Sequence, residues 1–118
     1  MTKSSFKSAT RVLIFNGAGN FVGEFFSLQE AAKYQYSSVQ AVSFACSGTY
    51  ISSGAYYFRQ ANSNINIEEA DWGKLKLVEY DKLCGEKRNY HSPKTMAQKY
   101  KALVRRIKIA KRGRNDEE

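Results

Sequence analysis

Histidine and proline each occur once in this chain, and cysteine twice. Each scarcity excludes something. A small secreted domain held by disulfides carries more than Cys46 and Cys84, so a reducing, intracellular (cytoplasmic) compartment is expected. A zinc centre needs about four ligands at short paired spacings. Cys46, Cys84 and His91 offer no such pattern, so neither a metal nor another cofactor is expected. No stretch approaches the roughly 18 apolar residues of a membrane span. Nor does a long apolar run follow Met1–Ser5, so no signal peptide and no membrane partner are expected.

What is present suits one domain with an appendage. The 118 residues are 42% hydrophobic, with eight Tyr, seven Phe and one Trp to fill a modest core. Charge is unevenly distributed. Residues 1–60 carry a net +3, residues 61–85 a net −2, residues 86–114 a net +10 and the last four −3. A basic block of this kind favours polyanions, nucleic acid foremost.

Residues 1–11 are Ser/Thr/Lys-rich and read as a flexible N-terminus. Val12-Leu13-Ile14-Phe15 is β-branched and aromatic, as a strand requires. Asn16-Gly17-Ala18-Gly19-Asn20 tolerates the positive φ of a hairpin connection, and Phe21–Phe26 continues as the partner strand. Ser27 followed by Glu30 is a capping-box pattern, predicting a helix to about Gln35. Ser37 or Ser38 then caps a second helix that Gly48 stops. Ala55–Arg59 reads as a strand able to pair back on the hairpin.

Signals weaken over residues 61–93, which read as a linker. Within it Leu77–Gly85 suits a two-turn helix, although Lys74–Leu77 alternates like a strand. Pro93 then marks a start, and residues 94–114 form a basic amphipathic helix before the acidic end at 115–118. Its apolar residues Met96, Tyr100, Leu103, Ile107 and Ala110 share one face, and Lys101, Arg105, Lys108 and Arg112 share another. The fold class expected is therefore α+β: a hairpin, two short helices and a strand, followed by a linker and a basic C-terminal helix.

The order Val12–Phe15, Gly19, Phe21–Phe25, Ser27–Ala32, Ser37, Val42 and Gly54–Arg59 resembles a known family. It is similar to the nuclease-associated modular DNA-binding repeat, the intron-encoded nuclease repeat of phage and organellar homing endonucleases. The resemblance covers residues 12–59. It implies a helix-turn-helix-like unit that docks on DNA, and makes phage origin an expectation. The chain departs from the family in carrying no nuclease: His91 is its sole histidine, where an HNH centre needs several His and Asn, and Gly48-Thr49-Tyr50 lacks a GIY-YIG partner element.

In a helix-turn-helix the second helix enters the major groove. Here that helix offers Ser37, Ser38, Gln40 and Ser43, which fit either base and phosphate contacts or plain capping and solvation. Lys33 and Arg59 flank the unit and suit phosphate contacts. The main cationic set is Lys94, Lys101, Arg105, Arg106, Lys108, Lys111 and Arg112. Tyr34, Tyr36, Tyr50, Tyr56 and Tyr57 suit either stacking on single-stranded bases or, better, core and strand-face positions. Glu68, Glu69, Asp71, Glu79 and Asp81 have no His or Lys placed to complete a two-carboxylate centre, so they are expected to complement the basic tail. The reading is a non-enzymatic protein that binds DNA, duplex favoured, with no small-molecule substrate. The alternative is a virion structural or assembly protein, a capsid-associated adaptor whose apolar helix face meets other subunits.

Overall fold

The computed structural model describes residues 11–34, 37–62 and 64–116, with side chains through Ile109. The first ten residues of the expected flexible N-terminus (1–11), Gln35 and the last two acidic residues lie outside that range. The fold is α+β, as expected. Strands β1 (Val12–Phe15), β2 (Phe21–Phe25) and β3 (Tyr57–Gln60) form an antiparallel sheet in the order β2-β1-β3. Helices α1 (Leu28–Tyr34) and α2 (Val39–Ser47) lie between β2 and β3 in sequence; α3 (Leu77–Leu83) and α4 (Pro93–Asp116) follow.

Local chemistry accounts for the connections. The Asn16 carboxamide oxygen accepts the N–H groups of Ala18 and Asn20, both at 3.0 Å, and folds the hairpin turn onto itself. The Ser27 hydroxyl accepts the Glu30 N–H at 3.1 Å, opening α1. Ser38 does the same for Ala41 at the start of α2, so it is the cap rather than Ser37. Gly48 closes α2 with φ 95°, returning its N–H to the Phe44 carbonyl.

Strand β1 is apolar on both faces, and both are covered. Successive side chains of a strand point to opposite sides. Val12 and Ile14, with Phe58 of β3, meet Ala31, Ala32, Val42 and Ala45 of α1 and α2. Leu13 and Phe15, with Phe21 and Tyr57, meet Leu77, Tyr80 and Met96. Residues 61–93 are thus not merely a linker: Ile65, Ile67 and Leu75 pack on the second cluster beside α3. The physical reason is the central strand itself, whose four buried residues would leave one face wet if nothing followed β3. Tyr80 fastens this layer by donating to the Gln60 carbonyl and accepting from the Asn62 N–H, both at 2.9 Å.

Candidate nucleic-acid interface

Arg59 does not reach the surface. Its register on β3, opposite Leu13, turns it to the second face of the sheet, where α3 places Asp81. Nε and Nη2 donate to Oδ1 and Oδ2 at 2.8 and 3.1 Å, and both side chains are only 3% exposed. The Tyr90 hydroxyl adds a 2.7 Å bond to the same carboxylate. Burial, then that bond and the Asp81 charge, push the Tyr90 phenol up to about 12. The expected phosphate contact by Arg59 is therefore a correction: it closes the core.

Three of the five acids expected to complement the tail are instead bonded locally. Asp71 accepts the Glu68 N–H at 2.9 Å, Glu79 accepts the Lys76 N–H at 3.3 Å, and Asp81 belongs to Arg59.

The residues expected to make DNA contacts at α1 and α2 divide. Ser38 is committed to its cap, and Ser37 is half-buried with its hydroxyl 3.1 Å from that of Ser53. Ser43 is half-buried, whereas Gln40 and Lys33 stand exposed. The far end of α2 is held by Arg88, whose Nη2 donates to the Cys46 carbonyl at 2.9 Å, a cation placed where the helix dipole is negative.

Helix α4 carries the charge. Ser92 starts it, accepting the Thr95 N–H at 3.2 Å. Met96, 2% exposed, lies in the second core cluster against Gly17, where a Cβ would come within 2.8 Å of the Met96 Cβ. Leu103, 6% exposed, is the second buried point. With about 100° per residue, Met96 and Leu103 lie within about 20° of one another and define the docked line. Lys94, Lys101, Arg105 and Lys108 project about 120–200° from that line on one side, and all four are exposed. On the other side Lys99 and Arg106 flank a groove shared with Ser37 and Gly54. Lys99 is also felt by His91, whose imidazole is held below its ordinary range by burial and then by that charge.

The structure thus gathers Lys94, Lys101, Arg105 and Lys108 into one row and sets Arg106 beside the entry to α2. Lys111 and Arg112 belong to the last turns of α4, whose side chains fall outside the described residues. Lys99 was missed by sequence reasoning; its spacing falls outside the repeating basic row, and only the approach of Ser37 gives it significance. Among the described residues no three His, Cys, Asp or Glu side chains are placed to hold a metal ion. None of the described helices is long and apolar enough to cross a membrane.

No protein-family profile matches this chain, and neither does any curated protein or solved structure.

Proposed function

We propose that this chain is a non-enzymatic nucleic-acid-binding protein, with duplex DNA held chiefly by the exposed row Lys94, Lys101, Arg105 and Lys108. The observation that carries the reading is that these cations stand on a helix whose Met96 packs in the second core cluster and whose Leu103 is buried further along. An anchored row presents charge at fixed spacing, seven residues or about 10.5 Å along the axis from Lys94 to Lys101 and again to Lys108. Phosphates bound there release counterions, so affinity falls steeply with salt. Gln40, exposed on α2, supplies a side chain able to pair with adenine, and Lys33 a further phosphate contact. The resemblance of residues 12–59 to the nuclease-associated DNA-binding repeat supports the same reading, and phage origin with it. The adaptor reading draws less support, because Met96 and Leu103, two of the five residues of the apolar row it would dock by, are buried in the chain's own fold.

The test is retardation of a generic duplex across a salt series. Replacing Lys101, Arg105 and Lys108 together by Gln should flatten the log–log salt slope by about 2.7, roughly 0.9 for each phosphate no longer neutralised. An unchanged slope would move the interface elsewhere, and a parent chain that retains no DNA at low salt removes the reading altogether.

A further inference from the structure

Beside the cationic row runs an apolar groove of about 520 Å³, between the hairpin turn and α4. Ala18, Val22, Tyr34, Tyr56, Ala97 and Tyr100 line it. Its size falls in the range of about 300–1,000 Å³ typical of small-ligand sites. Two rings stand open at it: Tyr34 is 48% exposed and Tyr100 52%. Tyr34 is held in place, its ring centroid 5.3 Å from that of Phe25 and 5.4 Å from that of Tyr56. The Tyr56 phenol is driven upward by burial, then by its hydrogen bond to Tyr34 and by the proximity of Tyr34 and Tyr100, so three phenols converge on one place.

The helical wheel sets this groove against the charge. Tyr100 and Ala97 project between the docked line of Met96 and Leu103 and the row of Lys94, Lys101 and Lys108. A flat, partly polar group seated on Tyr100 would have cations within reach of whatever chain it hangs from. We propose that this groove seats an unpaired nucleobase stacked on Tyr100, with the phosphates of the same strand on the Lys94–Lys101–Lys108 row. The inference rests on the nucleic-acid reading above and specifies its substrate class: DNA or RNA offering a single-stranded segment. An aliphatic protein side chain would gain nothing from the neighbouring cations. A base brings its own phosphates, and stacking tolerates any base because each has a π-face.

The experiment uses the full chain with a single-stranded oligonucleotide carrying one 2-aminopurine, and the same sequence fully paired. Stacking on Tyr100 should quench the 2-aminopurine emission of the single strand. Tyr100→Ala should weaken single-strand affinity roughly five- to a hundred-fold. Tyr100→Phe should restore it, and duplex affinity should change little in either variant. Ala97→Trp, which fills the groove from an exposed position, should abolish the quenching and provides a check independent of Tyr100. Unchanged emission together with parent-like affinity in Tyr100→Ala overturns the base seat while leaving duplex binding intact. Displacement by an acidic, tyrosine-containing peptide, with no quenching by the parent chain, overturns it in favour of a protein partner. Loss of both single-strand and duplex binding by the parent chain at low salt overturns the nucleic-acid reading and this inference together.

Discussion

Arg59 and Asp81 form a two-pronged ion pair sealed between β3 and α3, 22 residues apart in sequence. A pair so placed is costly to break from one side, because the remaining charge is left buried without its partner. Asp81→Ala should lower stability by about 3–5 kcal/mol, read as a shift in denaturant midpoint at constant slope. The double change Arg59→Met with Asp81→Leu should recover most of that loss. If Asp81→Ala melts like the parent, the pair is not closed in solution. Arg59→Gln should likewise appear as a stability defect and leave the salt dependence of DNA binding unchanged.

The base of α4 belongs to the core, and its removal should be felt there. Met96→Ala should cost about 2–5 kcal/mol, as for a large buried side chain cut to a methyl. Gly17→Ala approaches the same contact from the other side. Its new methyl would stand 2.8 Å from the Met96 Cβ and should destabilise by about 1–3 kcal/mol. Thermal melting of the two variants against Tyr100→Ala, which should melt near the parent, separates docking from surface. Parent-like melting of Met96→Ala would make the helix a free arm.

The caps of α2 give a graded pair. Ser38→Ala removes the acceptor for the Ala41 N–H and should cost about 1 kcal/mol. Gly48→Val should cost more, since φ is 95° and a Cβ would lie 3.2 Å from the Arg88 guanidinium that holds the same helix end. Chemical denaturation should rank the two in that order; the reverse order would mean that Gly48 does not hold its left-handed turn.

The two thiols should differ in reactivity. Burial pushes the Cys46 thiol up to about 11, against smaller opposing effects of Arg59 and Arg88. At pH 8 its thiolate fraction is on the order of one in a thousand, and the thiolate is the reacting form. Cys84 is only half-buried. A disulfide reagent at pH 8 should therefore titrate one thiol promptly and the second only after unfolding. Two equally fast thiols would place Cys46 at the surface.

Much of this fold could be read locally. The Asn16–Asn20 turn, the Ser27 and Ser38 caps, the Gly48 stop and the start of α4 at Pro93 all depend on hydrogen bonds spanning a few residues. The apolar row of α4 was equally legible, because the spacing of Met96 and Leu103 follows the helical period wherever the helix lies. Residues 61–93 were not legible as part of the core. Ile65, Ile67 and Leu75 show no period, and they are held by a sheet face whose residues lie about 50 positions earlier.

What the chain alone determined is therefore its periodic and terminal chemistry: strands where β-branched residues run, helices between caps, and a basic row repeating along α4. Tertiary structure decided which of those groups meet water. Arg59 reads as a surface cation until the pairing of β3 with β1 turns it under α3, and Tyr100 reads as an equal member of the apolar row until Met96 and Leu103 take the buried line and leave its ring half open. The physical reason is the same in both cases. Periodicity fixes the direction of a side chain relative to its own backbone, whereas burial and partnership depend on which distant segment occupies that direction.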